Sequence, residues 1–400
     1  FSCIQGVGRS LFIRPEDHGK EKVMKQRIRT DIDRLGEFVL GDRLLAGLAD
    51  RRPSSAPIYL VGGAVRDALI GRQVVDLDLV LEGGVAELAT ELVGDALIHE
   101  RFGTAELVTE DGTRVDLATS RRESYQHPGA LPKVEPAPIE TDLLRRDFTI
   151  NAMAAALTEP QRLIDPSGGL ADLERGVLRV LHPDSFRDDP TRALRAARYC
   201  ARFGFDLDPR TAELLNEVDL SSVSTERIEA ELELIAAEES GLEALRLAAA
   251  WGLVEISEER LEHAACALLL LDEPRWKGRT THSSLLLSAA FGKVVELPEE
   301  TPATPYEAVC LTRGLTVENT LVARASGVQW LDSYVDDWAQ VRPSITGDDL
   351  VAAGIAQGPA VGAGLEAALR ARLNGNAGGI QDELRVAVAA AEEFADGSVT

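Results

Sequence analysis

The sequence predicts an α+β protein, a small mixed sheet near the front of the chain followed by helices almost to its end. Three observations predict it. Short apolar and alternating runs punctuated by glycine fill residues 58–118, as strands do. Residues 121–144 hold four prolines and a glycine, which marks a break. From the Gly168-Gly169 turn onward, apolar residues recur at helical spacing.

The 400 residues allow two to four domains, taking roughly 150 residues for each. Hydrophobic content of 45% with 27% charged residues is that of a soluble protein. Cys3, Cys200, Cys266 and Cys310 show no C-x-x-C spacing. That argues against a zinc site or a disulfide framework and predicts a reducing, cytoplasmic setting. No apolar run approaches the roughly 18 residues of a membrane span. Phe1–Gly19 lacks the pattern of a signal peptide, and Met24 reads as the natural start. The net charge of −24 speaks against a broad nucleic-acid surface, because phosphate binding draws on Lys and Arg. Where the basic residues lie matters more than the sum.

Taken in order, Lys20–Arg34 is basic and helical in pattern, an extension continuing to about Asp50. Ile58 to Val61 is an apolar strand, Gly62-Gly63 breaks it, and Ala64 to Ile70 reads as a helix ending at Gly71. A strand, a double-glycine turn and a helix start leave backbone N–H groups suited to a polyphosphate. Arg66 stands beside Asp67 on the first turn, within reach of the same anion. A glycine pair alone is equally an ordinary tight turn. Asp76-Leu77-Asp78 follows on a strand, so its two carboxylates share one face roughly 7 Å apart. Read alone the pair is either a solvated strand edge or an oxygen-only site for Mg²⁺ or Mn²⁺. A helix near Val85–Val93 leads to strands near Thr104–Thr109 and Thr113–Ala118, joined at Asp111-Gly112. Asp116 on the second of these supplies a third carboxylate, which suits two metals and in-line nucleotidyl transfer.

Residues 121–144 read as a long irregular loop. In LLRRDFTINAMA (143–154), Asp147 or Thr149 reads as the cap of a helix, and Arg145 with Arg146 offers phosphate contacts. Residues 186–205 read as one helix with Asp188, Asp189 and Pro190 at its entrance. Arg192, Arg195, Arg198 and Arg202 stack on one face with no acid among them. Such a stripe is either a solvated face or a seat for a polyanion. Another helix begins at Ser224 or Thr225. From Ser240 to about Gln340 the helices are rich in Leu and Ala without evident chemistry, and His263 and His282 read as ordinary surface or core residues. In residues 345–375 glycines precede helix starts, which serves either capping or RNA phosphates.

Together GGAVRDALIGRQVVDLD (62–78), VDLAT (115–119), RRDFTINAMA (145–154), DPSGGLADL (165–173), DDPTRALRAARYCARFGF (188–205) and ERIEAEL (226–232) resemble the successive motifs of the class II tRNA nucleotidyltransferase and bacterial poly(A) polymerase family. The resemblance covers roughly residues 58–239, with a fainter likeness in ITGDDLVAAGIAQGP (345–359). Its departures, Tyr199 for Phe and Ile70 for Leu, avoid the expected chemistry. It implies a head of the DNA polymerase beta type (53–168) after the extension (1–52), then a helical neck (169–240), body (241–340) and tRNA-binding tail (341–400). The implied reaction transfers CMP or AMP from CTP or ATP to the 3′ end of a tRNA, bound through its acceptor arm, and releases pyrophosphate. By motif, Asp76 and Asp78 would hold two Mg²⁺ ions, and Asp116 the one that activates the primer hydroxyl. Gly62, Gly63 and Arg66 would hold the triphosphate, with Arg146, Asp147 and Asn151 bordering the nucleotide. Asp189 and Arg192 would read the base edge, with Arg195 and Arg198 behind them on the nucleotide side. A poly(A) polymerase shares every head motif, and a silent RNA-binding protein or a small-molecule nucleotidyltransferase could use the same scaffold.

Overall fold

Two helices precede the sheet, α1 (Ile32–Gly41) and α2 (Arg43–Arg51). The Asp31 carboxylate accepts from the Asp33 N–H and caps α1, whose Leu35 and Val39 are buried. The computed structural model describes residues 30–51, 57–92, 97–99, 103–108, 112–124 and 133–397. Met24, most of the basic segment that begins at Lys20, and Asp111 of the expected turn lie outside the described residues.

β1 (Ile58–Val61) is buried throughout, as its unbroken apolar sequence requires. α3 (Gly62–Leu69) begins at the first glycine rather than after the pair, and β2 (Asp76–Leu81) returns antiparallel to β1. α4 (Val85–Leu92), β3 (Leu97–His99), β4 (Thr104–Val108) and β5 (Arg114–Thr119) follow. The expected irregular loop contains regular structure instead: β6 (Arg121–Ser124) pairs antiparallel with β7 (Lys133–Pro136), and α5 (Ile139–Leu144) runs on from there. Pro136 is tolerated at the end of β7 because that strand is an edge. The expected helix after Arg146 is a single 3₁₀ turn, Thr149–Asn151, leading into β8 (Ala154–Ala156). β9 (Leu163–Ile164) completes a seven-stranded sheet ordered β3-β4-β5-β2-β1-β8-β9. β2 and β5 run parallel, and the other neighbours run antiparallel. α6 (Gly169–Arg175) and β10 (Val177–Leu178) end this part of the chain.

The residues 186–205 form not one helix but α7 (Ser185–Asp188) and α8 (Thr191–Phe203), separated at Asp189-Pro190. β11 (Asp206–Leu207) pairs parallel with β10. Then come α9 (Pro209–Leu215), α10 (Thr225–Ala236), α11 (Gly241–Ala250), α12 (Glu258–Leu270), α13 (His282–Phe291), α14 (Pro305–Leu311), α15 (Val317–Ala325), α16 (Leu331–Ser333), α17 (Gly347–Ala352), α18 (Pro359–Leu373) and α19 (Ile380–Gly397).

The chain forms two compact units. The first holds the sheet, extends to Pro183 and recovers Phe205–Thr211; the second takes Asp184–Gly204 and the chain from Ala212 on. In the second, Leu194, Ile235, Leu245, Leu261 and Leu286 build one core, and Ile345, Leu350, Ala368 and Ala387 a smaller one near the C-terminal end. The N-terminus of α17 is occupied by its own capping box, Thr346 with Asp349, which answers the question its glycine raised in favour of capping. Among the described residues no helix is long and apolar enough to cross a membrane.

Candidate active site

Alternation along β2 buries Leu77 and turns Asp76 and Asp78 to the opposite face. The parallel register with β5 sets Asp116 directly beside Asp78, and the antiparallel register with β4 sets Glu106 on the far side of Asp116. Three acids thus stand in a row across β2, β5 and β4, with Asp76 next to the row. Burial pushes the Asp78 carboxyl above its usual range; Arg146 opposes that, while Asp116 and Asp76 add to it. Burial likewise raises Asp116, helped by Glu106 and Asp76 and opposed by Arg114. Glu106 is absent from the sequence-derived set. The hairpin register alone would have supplied it, since it lies across from Asp116. Among the described residues no group of three or more His, Cys, Asp or Glu side chains is gathered as a ready-made metal cage.

The glycine pair does less donating and more accommodating than expected. The Gly62 N–H donates to the Met153 carbonyl, extending the pairing of β1 with β8. Gly62 has φ of +65°, and a Cβ there would lie 2.8 Å from Nη1 of Arg146 and 3.7 Å from Oδ2 of Asp78. Its role in the fold is room for that guanidinium. A Cβ on Gly63 would lie 3.5 Å from Nη2 of Arg66, an ordinary contact. Arg66 itself is only 3% exposed. It donates through Nε and Nη2 to the two oxygens of Asp67, at 2.9 and 3.0 Å, and through Nη1 to Oδ1 of Asn151. The Asn151 amide donates in turn to Oδ1 of Asp147 at 3.0 Å, and that oxygen also accepts the Phe148 N–H. Neither Asp147 nor Thr149 caps an α-helix; the Thr149 hydroxyl donates to Asp172. RRDFTIN is therefore a network that ties α3 to the 3₁₀ turn.

Asp142, four residues before Arg146, organises the rest. It is fully buried. Oδ1 accepts from Nε and Nη2 of Arg145 at 3.0 and 2.6 Å and from the Arg121 N–H at 3.1 Å. Oδ2 accepts from Nε and Nη2 of Arg146 at 3.3 and 3.1 Å. Burial alone would raise this carboxyl, but Arg146 and Arg145 outweigh it and hold it below the usual range. DPSGGLADL is structural support: both Asp165 oxygens accept backbone N–H groups at the start of α6, and a Cβ on Gly169 would lie 2.1 Å from the Thr149 carbonyl oxygen.

Asp189, Arg192, Arg195 and Arg198 belong to the second unit. Oδ1 of Asp189 accepts from the Thr191 N–H and hydroxyl, at 3.1 and 2.7 Å, and from Arg227 at 2.9 Å. Arg192 is 6% exposed and donates to the Ser185 hydroxyl at 2.7 Å. The arginine stripe is not an open seat for a polyanion. Arg195 pairs with Glu231 on α10, Arg198 with Glu231 and with Glu238 just beyond that helix, and Arg202 with Glu238. Tyr199 lies under the guanidinium groups of Arg195 and Arg198.

Residues 58–179 match the model of the poly(A) polymerase head domain. An A-adding tRNA nucleotidyltransferase of Aquifex aeolicus is 40% identical over 252 residues, which is 53% of this chain and 30% of that protein. The chain thus spans about a third of that relative's length, and 45% of the length of a Geobacter sulfurreducens A-adding relative. A CC-adding tRNA nucleotidyltransferase of Deinococcus radiodurans is 35% identical, with 80% of this chain and 86% of that protein covered. A solved CCA-adding enzyme in complex with CTP superposes with a TM-score of 0.74 at 27% identity, covering 91% of this chain and 99% of that one. By its match to 86% of the Deinococcus protein, together with the match of residues 58–179 to the head-domain model, the chain belongs to the class II tRNA nucleotidyltransferase and bacterial poly(A) polymerase family.

Proposed function

We propose that the protein is a template-independent tRNA nucleotidyltransferase that adds CMP, AMP or both from CTP and ATP to a tRNA 3′ end in the cytoplasm. The observation that carries this reading is the register of β2 with β5, which puts Asp78 and Asp116 side by side with Asp76 one strand step away.

The donor set fits a hard divalent cation: the residues offer only carboxylate oxygens, and burial and mutual repulsion leave two of them short of positive charge. Asp76, Asp78 and Asp116 are the residues that would hold Mg²⁺. When bound, Mg²⁺ would neutralise charge on the triphosphate and on the attacking and leaving oxygens. The rest falls to the chain. Arg146, beside Asp78, faces the place where phosphate charge accumulates, while Gly62 gives it room. Arg66 and Asn151 act by holding α3 against the 3₁₀ turn. Asp189 has Oδ1 committed to Thr191 and to Arg227 on α10, so Oδ2 is the oxygen to accept the amino group that cytosine and adenine both carry, and Arg192 is the donor to the ring acceptors. Arg195 and Arg198, paired with Glu231 and Glu238, would brace that turn on its nucleotide side.

The test is product size. The protein is incubated with tRNAs ending before CCA, after C and after CC, with CTP or ATP supplied separately. Addition of C to the ends before CCA and after C, of A to the end after CC, or of both is expected, and which of them occurs identifies the nucleotides added. Long adenosine tails on any RNA would make it a poly(A) polymerase, and no addition with Mg²⁺ present would reject the reading.

A further inference from the structure

We infer that Asp142 is a positioning residue that presents Arg146 to the nucleotide: its buried carboxylate fastens one edge of the guanidinium and leaves Nη1 turned to Gly62 and Asp78. The inference rests on reading Arg146 as a nucleotide-binding residue. It assigns work to a residue outside the RRDF motif, with a side chain that touches no substrate.

The geometry supports it from both ends. Asp142 sits on α5, a six-residue helix whose Ile139 and Leu143 are buried in the sheet unit. The first N–H of that helix, from Ile139, donates to Oε1 of Glu82 at 3.1 Å, just beyond the end of β2. The strand that carries Asp76 and Asp78 therefore leads directly into the residue that fastens the helix carrying Asp142. At the other end, Oδ2 of Asp142 takes Nε and Nη2 of Arg146 together. A guanidinium held along one edge cannot rotate, and its remaining nitrogen is fixed in direction. That nitrogen is the one that a Cβ on Gly62 would approach to 2.8 Å. Oδ1 is meanwhile filled by Arg145 and the Arg121 N–H, so Asp142 cannot swing away to follow Arg146. Orienting a long side chain before substrate arrives strengthens binding by removing the cost of ordering it then.

A double-mutant cycle tests this on the full chain, using Asp142→Asn, Arg146→Ala and the two combined, with the Michaelis constants for nucleotide and tRNA measured separately. Each single variant should raise KM for nucleotide about tenfold, the scale on which lost supporting contacts act, and leave KM for tRNA unmoved. The double variant should be no worse than Arg146→Ala, because Asp142 then has nothing left to position. Effects that multiply would overturn the inference, as would an Asp142→Asn enzyme with unchanged nucleotide KM. An unchanged KM in Arg146→Ala would instead overturn the reading on which it rests. Should Asp142→Asn fail to fold, Asp142→Glu keeps the buried charge compensated while moving the carboxylate by one methylene; nucleotide KM should rise again, and a normal value overturns the inference.

Discussion

The arginines of the sheet unit and those of the helical unit are both enclosed by carboxylates, but their partners lie at different distances along the chain. Arg66 pairs with Asp67, and Arg145 and Arg146 pair with Asp142, all within four residues. Arg195, Arg198 and Arg202 reach Glu231 and Glu238, 33 to 40 residues away. A local pair aims a side chain without joining elements. A distant pair joins two helices and spends the side chain in doing so. The difference teaches that Arg145 and Arg146 are aimed by a carboxylate close along the chain, whereas the arginines of α8 are spent on packing that helix against acids from α10 and just beyond it.

The largest effect that could break this contrast lies in the head. Asp78→Ala should lower incorporation of labelled nucleotide by roughly a thousandfold or more while the melting temperature and tRNA binding hold. A collapse in melting temperature would mean that this site is structural after all. Glu238→Ala should show the opposite signature. It takes one of two carboxylates from Arg198, which is 8% exposed and keeps Glu231, and deprives Arg202 as well. Losing a hydrogen bond to a buried charged group costs on the order of 2 kcal/mol, read by denaturant unfolding, with nucleotide KM unchanged.

A pH series sharpens the contrast next. Asp142 is held below its usual range by Arg146 and Arg145 despite burial. Its stabilisation is therefore complete above the unfolded carboxyl value of about 3.9 and is lost as pH falls through the lower folded value. In urea unfolding, the stability gap between wild type and Asp142→Asn should be wide at neutral pH and narrow in acid. A constant gap would show that the charge of Asp142 contributes nothing. The smallest effect belongs to Arg195→Ala, whose side chain is 28% exposed where it meets Glu231. It should cost less than about 1 kcal/mol, and a larger loss would show the α8–α10 ladder to be one cooperative unit.

Much of this was legible beforehand, element by element. β1, β2, β4 and β5 follow from apolar runs and two-residue alternation, and the common face of Asp76 and Asp78 follows from the pleat. Residues 121–144 were not legible because a ribbon such as β6–β7 exists only through its pairing, and its prolines mimic a loop. FTINAMA looked helical because it is apolar without alternation. It is instead a 3₁₀ turn and a strand within the interior, where both faces are buried. The pairing of the arginine stripe is not legible along α8 because its acids, Glu231 and Glu238, lie 33 to 40 residues further on, within ERIEAELELIAAEE.

The sequence by itself determined the class of fold, the carboxylates on their strands and the family resemblance, because each is written in neighbouring residues through pleat, helical period and motif order. Only the tertiary structure decided that Gly62 spends its N–H on Met153 and makes room for Arg146, that Asp142 holds two arginines and that the α8 stripe is paired with acids from further along the chain. Those facts depend on which atoms meet across elements. Burial turns such meetings into fixed directions and charges, and no local pattern records them.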